Sequence, residues 1–223
     1  MNERIGVESK GGGEDVTDDA RLQAVIDKFE IIENSTTVLC ARDAGDWPRL
    51  AACFLSDARV TTSWFNGTAR EFAEQSSRMM AGHHPGDTQR HVMSNARVML
   101  NGERAVCEYY VVLHQGRTLD GYEFDLQTWS VTLDLYAKSD GAWRIARRMN
   151  IYEKDRMDPH VPGSVPASYY EQLDLSRYPA SVRFHCYRNE RSSGHAPKNM
   201  IVKGSPEEKT ARNAAEVWLS GAS

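Results

Sequence analysis

Two residues in this chain of 223 have types and settings suited to moving a proton, Asp43 and His91. Leu22, Val25, Ile26, Phe29, Ile32, Thr36, Leu39 and Cys40 recur at helical spacing, and the next member of that stripe is Asp43. A carboxylate on an apolar helical face is costly unless it is paired, hydrogen-bonded or neutralised. Desolvation there raises a carboxyl toward the range of a general base. Asp also caps helix ends and opens turns, so the spacing leaves both readings open. His91 opens the run His91-Val92-Met93-Ser94-Asn95, where alternation puts His91, Met93 and Asn95 on one face. That face describes either a pocket with a few polar groups or a core with a satisfied structural histidine.

Other polar and aromatic side chains fall on the same or adjoining strands. His114 ends the following strand, with Tyr110 and Val112 on its face. Arg147 shares a face with Trp143, Ile145, Met149 and Ile151, and an arginine on an apolar row requires an anionic partner. By the same alternation Arg148 points the other way, as a surface or interface base. Trp64, Phe65, Trp129 and Tyr152 either wall an aromatic pocket or are plain core. The pair His83-His84 lacks the i, i+4 spacing of a helical zinc site and has no third ligand, so no metal is expected. Gly11-Gly12-Gly13 follows no strand, and neither a nucleophile elbow nor a dinucleotide fingerprint occurs. No cofactor is expected, and the chemistry falls to side chains.

The elements that position these residues follow from periodicity and turn residues. Helical patterns cover 20–43, 46–54 (with Asp46 as N-cap) and 69–81, the last ended by Gly82. A β-branched run over 58–64 reads as a strand. The period then changes to two over 90–100, 104–114, 122–138 and 142–152, with turn residues at Asn101-Gly102 and Ser139-Asp140-Gly141. Helices segregated from an antiparallel sheet predict an α+β fold. Beyond residue 153 prolines punctuate an aperiodic stretch, with six bases against one acid over 177–203. Ser205-Pro206-Glu207-Glu208 opens a last helix to about Leu219. The expected organisation is a disordered acidic tail (1–19), a body (20–153), and an extension (154–223) that lids the pocket or contacts a neighbouring subunit.

Composition excludes several classes. At 40% hydrophobic and 9% aromatic residues the chain is not of the disordered type. No stretch reaches the roughly 18 apolar residues of a membrane span. The net charge of −4 resides in residues 1–19, where six acids face two bases. The neutral remainder lacks the basic surface that nucleic-acid binding requires. Cys40, Cys53, Cys107 and Cys186 match no zinc or redox spacing. The first three sit in apolar runs where cysteine behaves as a small buried hydrophobe. Together with an opening that lacks signal-peptide order, this points to a reduced cytoplasmic protein.

The segments Cys40-Ala-Arg-Asp-Ala-Gly-Asp-Trp-Pro-Arg-Leu50, Phe54-Leu-Ser-Asp-Ala-Arg-Val60, His91-Val-Met-Ser-Asn95 and Gly141-Ala-Trp-Arg-Ile-Ala-Arg-Arg148, in that order, resemble the SnoaL-like branch of the nuclear transport factor 2-like superfamily. The resemblance covers about residues 20–153. It implies a cone-shaped α+β barrel, with a curved antiparallel sheet wrapped around N-terminal helices and a pocket between them. It also implies a catalytic pair of Asp43 at the end of the first helix and His91 opening the second strand. Substrate contacts would come from His114, Arg147, Asn95, Tyr110, Trp64 and Trp129. The expected activity is that of a cofactor-independent lyase. It would eliminate water, formaldehyde or another small group from a hydroxylated aromatic or alicyclic small molecule such as a lignin-derived dimer. The alternatives are an isomerase or cyclase on the same scaffold, and a non-catalytic binding or structural subunit. Members of the branch usually associate through the open sheet, so a homo-oligomer, dimer or trimer, is expected. The turn before Asp43, where dehydratase relatives carry Tyr or Lys, reads Thr37-Val38-Leu39.

Overall fold

The computed structural model describes residues 17–221. Thr17 caps the first helix, whose opening turn holds Asp18 and Asp19, where acids complement the helix dipole. The rest of the acidic tail lies outside the described residues. Helix α1 spans Asp18–Ala44, α2 Trp47–Ala52 with Asp46 as its N-cap, and α3 Ala69–Ala81 with a capping box from Thr68 and Glu71. Strands β1 (Phe54–Thr61) and β2 (Asn66–Thr68) lie between α2 and α3. Four long strands follow as hairpins: β3 (Thr88–Asn101), β4 (Arg104–Leu119), β5 (Tyr122–Ser139) and β6 (Ala142–Pro159). The chain ends with α4 (Ala167–Glu171), α5 (Arg183–Ser193), β7 (Ile201–Val202) and α6 (Pro206–Ser220).

The sheet runs β2-β1-β6-β5-β4-β3, is curved, and does not close into a barrel. Beside β6, β1 pairs in parallel over Ile145–Met149 and β7 over Ile151–Tyr152, so the two short strands follow each other along one edge. All other pairings are antiparallel. The inner face packs on α1 and α3 through Val38, Leu39, Phe72, Ala105, Cys107, Tyr109 and Ile145. The outer face is covered too. Val106, Val131, Leu133, Leu135, Met149 and Ile151 meet Ala211 and Ala215 of α6. A third cluster joins Phe124, Leu126 and Met157 at the far ends of the strands to Tyr178, Val182, Cys186 and Tyr187 of the extension.

The stripe on α1 differs from its sequence reading. Ile31, Ser35, Val38, Leu39 and Ala41 are the buried positions, while Leu22, Val25, Ile26 and Phe29 are exposed. The buried stripe is confined to the part of this long helix that lies against the sheet. Cys40 is exposed, contrary to its apolar sequence setting, whereas Cys53, Cys107 and Cys186 are buried.

Three bulges reset which residues face inward. In β3, Ser94 pairs with Tyr110 and Arg97 with Glu108, so Asn95 and Ala96 together oppose Tyr109. Asn95 takes a positive φ of 53°, a backbone region that Asn tolerates better than most residues. In β6, Ile145 pairs with Tyr136 and Arg147 with Leu135, which leaves Ala146 as the extra residue. A second β6 bulge falls at Glu153, between Tyr152 paired with Ser130 and Lys154 paired with Trp129. Each bulge exchanges inward and outward positions beyond it.

Candidate active site

Asp43 lies in the last turn of α1, just before Gly45, which ends the helix in the left-handed region at φ 71°. The cap is made by the Gly45 N–H to the carbonyls of Ala41 and Arg42, so the Asp43 carboxylate is free to reach β3. One of its oxygens accepts the backbone N–H of His91 at 2.7 Å. The other receives His91 Nδ1 at 2.6 Å and Gln89 Nε2 at 3.4 Å. Both side chains are almost fully enclosed, at 3% exposure for Asp43 and 9% for His91. Asp43 therefore does not cap its helix.

Arg42, the preceding residue, fixes the histidine tautomer. Its Nη1 lies 2.9 Å from His91 Nε2. A guanidinium only donates, so Nε2 accepts and the ring proton sits on Nδ1, donated to Asp43. His91 is thus neutral, with its lone pair capped by a cation. Burial, with Arg42 adding to it, pushes its pKa below the ordinary 6.5 against the opposing pull of Asp43. Burial acts to raise the Asp43 carboxyl, but the His91 hydrogen bonds and the Arg42 charge outweigh it and hold the pKa below 3.8. The expected rise toward a general base does not occur at Asp43. The carboxylate stays ionised, and the basic lone pair belongs to His91.

A cavity of about 60 Å³ opens on His91. Its walls include Arg42, Gln89, His91, Gln115, Thr128, Ser130, Thr132, Arg148, Asn150, Tyr152, His185 and Arg188, with Trp64, Phe72 and Met79 on one side. Trp64 and Met79 also wall a neighbouring groove of about 490 Å³. Arg42 stacks over the rings of Trp64 and Phe72 at 5.7 and 5.6 Å. The inner face of β5 is polar along the cavity (Thr128, Ser130, Thr132) and continues to Asp134 and Tyr136, which are buried below it.

Arg148 forms a bidentate pair with Asp134, at 2.7 Å from Nε and 2.6 Å from Nη2, and Nη2 also donates to Tyr109 OH at 2.8 Å. Tyr109 OH in turn donates to Asp134. Burial opposes the Arg148 charge, but Asp134 beside it prevails and holds the guanidinium protonated more firmly than in water.

The extension completes the cavity. His185, in the first turn of α5, sits between Ser63 Oγ (2.8 Å from Nε2) and Thr128 Oγ1 (3.0 Å from Nδ1). Arg188 Nη2 donates to its Nδ1 at 3.2 Å, so Nδ1 is an acceptor and the proton lies on Nε2. Burial first, then Arg188, keeps the His185 pKa well below 6.5. The Ser63 backbone N–H donates to Tyr152 OH.

Of the residues expected at the site, Asp43, His91 and Trp64 meet there. Five others lie elsewhere. Asn95 is exposed on its bulge. The Ala146 bulge exchanges Arg147 and Arg148, so Arg147 is exposed and Arg148 is the arginine that meets an acid. Tyr110, at 45% exposure, and His114 are on the outer face of β4, while Tyr109, Val111, Leu113 and Gln115 face inward. Trp129 is also on the outer face, stacked with Lys154. Sequence reasoning missed Arg42, Arg148, His185 and Arg188. For Arg42 a signal was present, since it directly precedes Asp43 on the same terminal turn. Among the described residues no three His, Cys, Asp or Glu side chains cluster as for a metal. Nor, among those residues, is any helix long and apolar enough to cross a membrane.

Helices α1 and α3 on the inner face of an open curved sheet, with a polar cavity between, define the cystatin-like α+β class of nuclear transport factor 2-like proteins. A type 2 hexachlorocyclohexane dehydrochlorinase (LinA) superposes with a TM-score of 0.54 at 16% identity, over 68% of this chain and 99% of that one. A putative scytalone dehydratase from Novosphingobium aromaticivorans gives 0.52 at 20% identity, over 68% and 97%. An NTF2-like protein with a cystatin-like fold from the same organism gives 0.50 at 22%, over 73% and 100%. At these identities the superpositions establish the fold. The SnoaL-like domain family model matches residues 23–149, and the chain belongs to that family. A PEP2-like protein of Fusarium vanettenii is 26% identical over 172 residues, 76% of this chain and 72% of that protein. An uncharacterised protein of Emericella nidulans is 26% identical over 178 residues, 76% and 73%.

Proposed function

We propose that the chain is a lyase in which His91 Nε2 removes a proton beside a small leaving group, and Asp43 holds the imidazole. The carrying observation is the 2.6 Å contact between Asp43 and Nδ1 in an enclosed site, with Nε2 turned to the cavity side toward Arg42. A buried carboxylate on Nδ1 fixes the tautomer that leaves Nε2 basic and stabilises the imidazolium formed after proton transfer. The depressed pKa of His91 keeps the base unprotonated at neutral pH. Gln115, Asn150, Tyr152 and the hydroxyls of β5 line the space where a substrate hydroxyl or developing oxyanion would be held.

The cavity of about 60 Å³ takes the reacting end of a substrate; an engineered void that binds benzene is larger, at roughly 150 Å³. An aromatic or alicyclic body would extend past Trp64 and Met79 into the adjoining groove. Halide, or hydroxide that takes a proton from the His91 imidazolium to become water, would leave with the electron pair of the broken bond, while the pair of the C–H bond broken by Nε2 forms the double bond. For formaldehyde, Nε2 would take the proton of a hydroxymethyl O–H, and the O–H pair would form the new C=O. The pair of the broken C–C bond would stay on the substrate to form a double bond as a neighbouring substituent departs. The family and its structural neighbours, among them the dehydrochlorinase and the putative scytalone dehydratase, support an elimination.

The test is mass-resolved turnover on a panel of hydroxylated aromatic and alicyclic compounds. A product lighter than its substrate by the leaving group is expected from the wild type, with loss of about 10³-fold or more in His91→Ala and about 10²-fold or more in Asp43→Asn. Undiminished turnover in both variants, with unchanged circular dichroism, would overturn the assignment. A product of unchanged mass would replace it with an isomerase.

A further inference from the structure

Among the described residues the cavity walls contain three arginines and no carboxylate. Arg148 is neutralised by Asp134. Arg42 is linked to the Asp43 carboxylate through the His91 ring, and Arg188 has no such acid among the described residues. Arg188, 7% exposed, has one hydrogen-bond partner among the described residues, the neutral ring of His185, and no acid within ion-pairing distance. Among the described residues Arg42 hydrogen-bonds the His91 lone pair alone, and its Nε is buried with no partner there. Thr62 Oγ1, on the same wall, is likewise buried and unpartnered. Arg42 and Arg188 come from opposite ends of the chain, one at the end of α1 and the other on α5. A buried cation without a counterion carries a large desolvation cost. Burial, with Arg117 and Arg42 nearby, lowers the Arg188 pKa to about 9.

We infer that the substrate is an anion, a small molecule whose carboxylate enters the inner cavity and is held between Arg42 and Arg188. The inference rests on the reading of this cavity as the substrate site. A carboxylate accepts two parallel N–H donors from a guanidinium, in a geometry that a single imidazole nitrogen cannot match. Binding therefore draws Arg42 from His91 Nε2 to the ligand. Arg42 caps the base, and the substrate's own charge uncaps it. Arg42 is thus a positioning residue for the base as well as a ligand for the anion. The neutral polar groups around it, Thr62, Gln115 and Asn150, complete a site sized for a charged head group with its body in the groove beyond Trp64 and Met79.

The experiment measures binding, so it stands apart from turnover. Acetate and benzoate are each titrated against their amides by calorimetry into the full chain, and the His91 ring nitrogens are followed by NMR. Each acid is expected to bind at least about ten-fold more tightly than its amide, and to shift the Nε2 resonance as Arg42 departs. Arg188→Gln is expected to lower acid affinity about ten-fold or more with amide binding unchanged. His91→Ala, which abolishes turnover under the lyase reading, is expected to retain acid binding. If Arg188→Gln fails to fold, the acid–amide comparison in the wild type decides alone. Equal affinity for acid and amide, absence of acid binding up to the solubility limit, or undiminished acid binding in both Arg188→Gln and Arg42→Gln would each overturn the inference.

Discussion

Arg42 donates to Nε2 of His91 at 2.9 Å while Asp43, the next residue, receives Nδ1 of the same ring at 2.6 Å. Consecutive residues at one helix end thus hold both nitrogens of one imidazole. The arrangement admits a single protonation state, neutral with the proton on Nδ1, because a second ring proton would point at a guanidinium.

That geometry sets the first prediction. Nitrogen-resolved NMR at pH 7 is expected to find His91 as the Nδ1–H tautomer, titrating below 6.5. Arg42→Gln removes a cation and is expected to raise that midpoint. An unchanged midpoint would separate Arg42 from control of the base. Because the folded pKa values of His91 and His185 lie below the unfolded value, their contribution to stability is present above pH 6.5 and lost as pH falls through the depressed values.

The Arg148–Asp134 pair is enclosed, at 4% and 0% exposure, and single truncations leave a buried charge alone. Arg148→Met is expected to cost about 3–5 kcal/mol, a drop in melting temperature of roughly 10 °C for a protein of this size. The double variant Arg148→Met/Asp134→Leu is expected to recover much of it. A loss under about 1 kcal/mol in the single variant, read by calorimetry, would contradict the account.

Asp155 accepts the His185 N–H at 2.6 Å, yet burial, the larger effect, raises its pKa from 3.8 to about 6. A folded pKa above the unfolded one favours the protonated folded form. The associated stability is present below pH 3.8 and lost as pH rises through about 6, by at most about 3 kcal/mol. Asp155→Asn keeps an acceptor for the His185 N–H. It is expected to flatten the stability profile between those values and to equal or exceed the wild type at pH 7. A profile unchanged by the substitution would assign the titration elsewhere.

Asn95 occupies its positive φ for the sake of the bulge. Asn95→Gly is expected to leave chemical-denaturation stability within a few tenths of a kcal/mol, whereas the β-branched Asn95→Val costs about 1–2 kcal/mol. A larger effect on ligand binding than on stability would return Asn95 to the site.

Much of this architecture is legible in the chain itself. Helical spacing carries Asp43 to the end of α1, alternation in β3 puts His91 and Met93 on the inner face, and the Asn101-Gly102 and Asp140-Gly141 turns set the hairpins. These are local properties, since period and turn chemistry depend on neighbours in sequence. The faces of β4 and β5 are not legible in the same way. Alpha-helix α6 covers the outer surface, so both sides of those strands carry apolar residues, and on β5 Val131, Leu133 and Leu135 point outward while Thr128, Ser130 and Thr132 point in. Polarity alone then assigns Tyr110, His114 and Trp129 to the wrong side.

The bulges are decided by the sheet as a whole. One extra residue at Ala146 exchanges Arg147 for Arg148, and nothing near Ala146 in sequence announces it, because a bulge is a mismatch between two strands. His185 and Arg188 reach the cavity only because the extension folds back over the strand ends, across more than a hundred residues from Ser63. The sequence by itself determined the α+β order and put Asp43 at the end of α1 and His91 at the start of its strand, while their pairing was implied by the family resemblance. The tertiary structure decided which cations surround that pair, because long-range contacts depend on how distant segments pack and not on the period of any one of them.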